Sequence, residues 1–213
     1  MDSPVKGRLS MKKFDDPDIQ SRILEIKHKI SELAEEPLLL NREFYLMGLL
    51  TPLLDELGAD PAVIVGGHAV ELYTSGSYKT ADIDLVMIRD DLAKGLFERL
   101  GFEREGRFYY VTELDVPIEI PDHRLAGSSD RVLKLNTPDG YCYVLGIEDL
   151  ILDRLNRAEF WGDARSLEWA RFLMVSQQDN VDFAYLREKA NGEHPKLSEL
   201  LEQTINWVKK NGS

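Results

Sequence analysis

Residues 62–87 read AVIVGGHAVELYTSGSYKTADIDLVM. The apolar, β-branched run Ala62 to Val65 predicts a short buried strand, and the pair Gly66-Gly67 ends it. Successive glycines also let the backbone come close to a bulky group. A short helix is predicted over His68 to Tyr73, with first-turn N–H groups aimed at whatever lies over the glycines, a position that suits phosphate. After the polar loop Thr74 to Ala81, the alternation Asp82-Ile83-Asp84-Leu85-Val86-Met87 predicts a second strand. Side chains two apart on a strand share a face, so Asp82 and Asp84 point the same way with α-carbons roughly 6.5 Å apart.

Two carboxylates held on one face repel, and without a cation one of them takes up a proton. A divalent metal removes the conflict. Oxygen ligands on a strand beside a glycine turn are the arrangement expected for Mg²⁺, or Mn²⁺ in its place, carrying a nucleoside triphosphate. In isolation Asp-Ile-Asp more often marks a solvated acidic strand face; the glycine pair upstream turns the reading toward metal.

Gly66-Gly67, a short helix, and then Lys79-Thr80-Ala81-Asp82-Ile83-Asp84-Leu85 together resemble the signature of the nucleotidyltransferase superfamily that includes DNA polymerase beta. Within it the chain is most similar to small prokaryotic enzymes related to the AbiE-type toxin nucleotidyltransferases, although the spacer from Gly67 to Asp82 is slightly longer than the family pattern. The resemblance implies an α+β fold, a mixed β-sheet flanked by helices. It also implies that Asp82 and Asp84 are catalytic metal ligands and that Gly66, Gly67, His68, Lys79 and Thr80 lie around the nucleotide. For His68 the alternatives are a phosphate or proton-transfer contact and simple capping or packing. For Thr80 a bond holding the loop is expected.

Members of the superfamily carry a third carboxylate on a neighbouring strand. Glu119, central in the alternating run Val116-Pro117-Ile118-Glu119-Ile120-Pro121, is the position that matches, with Asp115 and Asp122 as competitors. A neighbouring strand lies about 4.8 Å away, close enough to complete a three-carboxylate cluster. Pro117 and Pro121 fit an edge or a strand end rather than a central strand. The relatives also tend to carry a Lys in the helix after the sheet, and Arg154 stands in its place, a nucleotide-binding candidate at the triphosphate whose alternative is a solvated or salt-bridged arginine.

Outward from this centre the chain divides into a flexible arm (1–17), a core with two preceding helices (18–146) and a C-terminal helical region (147–213). Ile19, Ile23, Ile26, Ile30 and Leu33 step by four, three, four and three, the pattern of an amphipathic helix. A second helix is predicted over Arg42 to Leu57, stopped by Gly58. Downstream, the pattern predicts a helix from Asp90 to Leu100, strands over 102–105 and 107–112, and a hairpin turning at Pro138-Asp139-Gly140. Helices follow over 147–160, 164–176, 183–191 and 197–209. Trp161, Trp169 and Trp207 fall in this tail and are expected in its core, the alternative being that one of them stacks on a base. Cys142, the sole cysteine, is expected as a buried core thiol.

Of the 213 residues, 43% are hydrophobic and 30% charged, ordinary values for a globular chain. No apolar run approaches the roughly 20 residues that cross a bilayer and no signal-peptide core is visible, so a cytoplasmic protein without a membrane partner is expected. A formal net charge of −12 argues against broad nonspecific nucleic-acid binding. Taken with the resemblance, the expected activity is Mg²⁺-dependent transfer of a nucleoside monophosphate from an NTP to a hydroxyl on RNA, protein or a small molecule, in a toxin–antitoxin or defence setting. The alternative is a non-catalytic nucleotide-binding or toxin–antitoxin interaction module. A metal-dependent phosphohydrolase ranks last, since His28, His68, His123 and His194 are scattered. The sequence sets no oligomeric state.

Overall fold

The structure is a computed structural model describing residues 14–80, 82–88 and 91–212; most of the expected N-terminal arm lies outside the described residues. Helix α1 (Pro17–Leu33) begins where Asp16 accepts a hydrogen bond from the Asp18 N–H at 2.9 Å and Pro17 supplies a preset first turn. It buries Ile19, Ile23, Ile26 and Ile30. Helix α2 (Leu39–Leu57) starts three residues before the predicted boundary and ends at Gly58, whose φ of +78° closes the helix in the left-handed conformation.

Strand β1 (Val63–Ile64) leads into α3 (Gly66–Tyr73), followed by β2 (Ile83–Val86), α4 (Asp91–Leu100), β3 (Glu103–Glu105), β4 (Phe108–Tyr110) and β5 (Ile118–Asp122). The hairpin is β6 (Leu133–Thr137) and β7 (Gly140–Val144), after which α5 (Ile147–Trp161), α6 (Ala164–Ser176), α7 (Phe183–Glu193) and α8 (Pro195–Asn211) complete the chain. The glycine pair opens α3 instead of preceding it.

Among the described residues the seven strands form one mixed sheet in the order β3-β4-β5-β2-β1-β7-β6. β2 runs antiparallel to β1 and parallel to β5, with Asp84 paired to Glu119, and β1 runs parallel to β7. This is the α+β architecture expected: a mixed sheet with helices against it. β5 is an interior strand. Its prolines are accommodated because Pro117 precedes it and Pro121 is its penultimate residue, next to a register shift between Asp84 and Val86.

α2 packs along β7, where the Tyr141 and Tyr143 hydroxyls both donate to Asp55 Oδ2 at 2.8 Å. Ile64, Ile83, Leu85, Ile118, Ile120 and Val144 are fully buried, so the central strands hold a continuous apolar core beneath the carboxylates. Burial of such side chains contributes roughly 1.5–3 kcal/mol each. Cys142 joins this core, and burial pushes its thiol up to about 12, so it stays protonated and inert at neutral pH. Among the C-terminal tryptophans the core expectation fails for Trp161, which is 75% exposed, and for Trp207, at 39%. Trp161 is the last residue of α5, and Trp207 falls outside the stripe of Leu201, Thr204, Ile205 and Val208 that α8 buries.

Candidate active site

At the C-terminal side of β1 the chain turns sharply. Gly66 adopts φ +61°, and a side chain there would strike the Asp84 carboxylate. The absence of Cβ is thus what lets the Asp84 side chain lie against the turn. Gly67 N–H donates to Asp84 Oδ2 at 2.9 Å. One first-turn amide of α3 is therefore committed to a carboxylate, an anion as the helix N-terminus favours.

Asp82 is fixed by a different route. Thr80 Oγ1 donates to Asp82 Oδ1 at 3.0 Å, while the Thr80 backbone N–H donates to Glu71 Oε2, also at 3.0 Å. Thr80 does hold the loop, but its hydroxyl bonds a side chain and its amide supplies the anchor. Glu119, 8% exposed, comes from β5 directly opposite Asp84 and pairs with Arg107. Asp115, one of its competitors, is an exposed turn residue with φ +53°.

Carboxylate oxygens of Asp82, Asp84 and Glu119 lie within 4.8 Å of one another. Burial raises the Asp84 carboxyl above its ordinary value, opposed by the Gly67 N–H and reinforced by the charge of Asp82. Burial likewise raises Glu119, with Arg107 opposing it and Asp84 adding to it. Three oxygen donors, two of them holding protons more tightly chiefly because they are buried, fit a hard divalent cation such as Mg²⁺ or Mn²⁺.

These carboxylates floor a cleft of about 660 Å³. Its walls carry Arg107, Arg124, Arg154, Arg157 and Arg165, together with Gly66, Gly67, Thr80 and Trp169. Arg154 is buried, paired with Asp153, and near enough to Asp84 to favour that carboxylate's ionised form. The Arg154 and Arg165 guanidinium carbons each lie 5.6 Å from the centre of the Trp169 ring, and Tyr78 meets that ring edge-on at 5.3 Å. An anionic ligand would thus sit between a carboxylate floor and arginine walls, with an aromatic surface beside it.

Of the residues singled out in the sequence, Asp82, Asp84, Glu119, Gly66, Gly67, Thr80 and Arg154 come together around this cleft. His68 and Lys79 do not. His68 is fully buried against Glu43 of α2, and Lys79 lines a separate groove with Leu39 and Phe44. Helical geometry explains the first: one residue past Gly67, the side chain turns inward toward α2. Sequence reading missed Arg107, Arg124, Arg157, Arg165 and the position of Trp169. The only local signal was the three-residue step from Arg154 to Arg157, which places both on one side of α5.

No family profile matches the chain, and no curated protein matches it significantly. Among solved structures it is similar to an antigenic nucleotidyltransferase-like protein from Paracoccidioides brasiliensis, at 19% identity and TM-score 0.54 over 88% of each chain. It also aligns with the antibiotic-resistance factor ANT(2'')-Ia at 15% identity and TM-score 0.44, covering 90% of this chain and 96% of that one. The first likeness establishes the fold as nucleotidyltransferase-like. Among the described residues no helix is long and apolar enough to cross a membrane.

Proposed function

We propose that this chain is a divalent-metal-dependent nucleotidyltransferase that moves a nucleoside monophosphate from an NTP to a hydroxyl acceptor. The observation that carries the reading is the convergence of Asp82, Asp84 and Glu119 from two paired strands at the floor of an arginine-walled cleft.

Asp82, Asp84 and Glu119 would hold Mg²⁺ or Mn²⁺, which supplies Lewis-acid charge neutralisation at the phosphates. The protein's own part is placement. Gly67 and Thr80 fix the two aspartates, and Arg154, Arg157 and Arg165 face the phosphate chain. Trp169 offers its ring to the base. Glu119 takes the acceptor hydroxyl's proton as the new oxygen–phosphorus bond forms in line with the breaking α–β phosphoanhydride bond. Pyrophosphate leaves. The acceptor class, whether RNA, protein or a small molecule, and a toxin–antitoxin setting belong to this proposal through the resemblance of residues 66–85 alone.

Incubation with each labelled nucleoside triphosphate and Mg²⁺, against cellular RNA and protein, is the test. Pyrophosphate release with label transfer that disappears in Asp82→Ala/Asp84→Ala supports the assignment. Transfer surviving the double substitution overturns it, and nucleotide retention without pyrophosphate release assigns a binding module instead.

A further inference from the structure

Outside the cleft, α2 and α3 bury a second group of metal-ligating side chains. Glu43, His68 and Glu71 each offer a ligand atom within 4.8 Å of the others. His68 and Glu71 stand three apart on α3 and so share a face, and Glu43 meets them from α2. Their exposures are 0%, 0% and 4%.

Hydrogen bonding does not account for this group. His68 Nδ1 and Glu43 Oε2 are 3.2 Å apart, yet both ring nitrogens and both Glu43 oxygens are buried without an aligned hydrogen-bond partner. Four such atoms at one place are costly, because each forfeits the water it had in the unfolded chain. Charge balance is no better. Two carboxylates against one imidazole leave an excess negative charge if both are ionised, even when the imidazole is protonated. A dication ligated by two carboxylates and a neutral imidazole makes the site electrically neutral and gives one imidazole nitrogen and the Glu43 carboxylate a partner.

We infer that Glu43, His68 and Glu71 form a second, structural divalent-cation site with a nitrogen–oxygen ligand set, distinct from the oxygen-only cluster of the cleft. One imidazole with two carboxylates selects zinc or a similar first-row ion over magnesium. Glu71 also lines the groove of about 600 Å³ that holds Lys79, so the buried group reaches the surface on that side. The site is tied to the cleft, because Glu71 Oε2 carries the Thr80 N–H and Thr80 carries Asp82. An ion here would pin α2, α3 and the Thr80 loop as one body.

The test is metal content of the full chain, expressed in zinc-supplemented medium and dialysed against EDTA, with zinc X-ray absorption on the wild type. The expected result is one zinc ion retained per chain in the wild type and in Asp82→Asn/Asp84→Asn, and lost in His68→Gln and Glu43→Gln, with an imidazole in the zinc shell. No retained zinc in the wild type overturns the inference. So does zinc that survives in a folded His68→Gln or Glu43→Gln, or that is lost only in the cleft double variant. Should both buried variants fail to fold, an oxygen-only zinc shell in the wild type overturns it. None of these readouts requires transferase activity, so the inference stands or falls apart from the proposed function.

Discussion

Gly67 donates its backbone N–H to Asp84 Oδ2 at 2.9 Å, joining residues seventeen apart in the chain and making the start of a helix the clamp for a carboxylate. The neighbouring Gly66 exists at φ +61° because its missing side chain leaves room for that same carboxylate. Gly66→Ala should therefore act twice. The left-handed backbone costs about 1–2 kcal/mol for a residue with Cβ, and the Asp84 carboxylate must move. We expect a lower melting temperature together with Mn²⁺ affinity reduced by about tenfold or more, read by electron paramagnetic resonance. A loss of stability with unchanged Mn²⁺ affinity would break the link between turn and metal.

Thr80 makes a comparable prediction at Asp82. Thr80→Val keeps the shape and the N–H bond to Glu71 but removes the hydroxyl that Asp82 Oδ1 accepts at 3.0 Å. Mn²⁺ affinity should fall by about tenfold, as losing an outer partner of a metal ligand typically does, while the melting temperature changes little. Thr80→Ser restores the hydroxyl and should restore the affinity. Equal binding by the Val and Ser variants contradicts the role given to the hydroxyl.

How much of this was legible in the sequence follows the range of the interactions. The strand, glycine pair, helix and Asp-x-Asp string lie within 26 residues, and local alternation was enough to place them. Glu119 was reachable because alternation put one acid at the centre of an apolar run and the resemblance asked for one there. The arginine walls were not. Arg107 comes from the turn between two short strands, Arg124 from a loop and Arg165 from the start of α6, and no periodicity links them. For His68, read as either a phosphate contact or a packing residue, the structure shows packing, and local pattern could not name its partner Glu43, which lies on α2, twenty-five residues earlier.

The raised carboxyls give the site a pH signature. Burial lifts Asp84 and Glu119 above their ordinary range near about pH 4, so the folded chain binds protons more tightly than the unfolded chain at these positions. Their contribution to stability is therefore fully present below the unfolded values and lost as pH rises through the folded ones. Without divalent cations, the melting temperature of the wild type should decline with rising pH more steeply than that of Asp84→Asn/Glu119→Gln. At neutral pH, Mg²⁺ should raise the melting temperature of the wild type and leave the variant unchanged, because only the wild type has charges for the ion to neutralise. Parallel pH profiles for the two proteins contradict the assignment of the strain to this pair.

Arginines gathered on one cleft of a chain with net charge −12 should make triphosphate binding sensitive to position and to salt. Arg157 and Arg165 are solvent-facing, so replacing either by Gln should weaken ATP binding to a metal-free chain by about threefold to fivefold, the scale of an exposed charge contact of under 1 kcal/mol. Arg154 is different. It is buried and paired with Asp153, so Arg154→Gln removes a phosphate partner and leaves that acid without its cation, and should weaken binding several times more. Arg154→Lys keeps the charge but loses the planar fork and should fall between. Titrations by fluorescence of Trp169, with Trp161→Phe/Trp207→Phe as background, should show this order at low ionic strength and see it compress as salt is added. If Arg154→Gln binds ATP as tightly as the wild type, the triphosphate does not lie against α5, and the cleft needs a different orientation of its ligand.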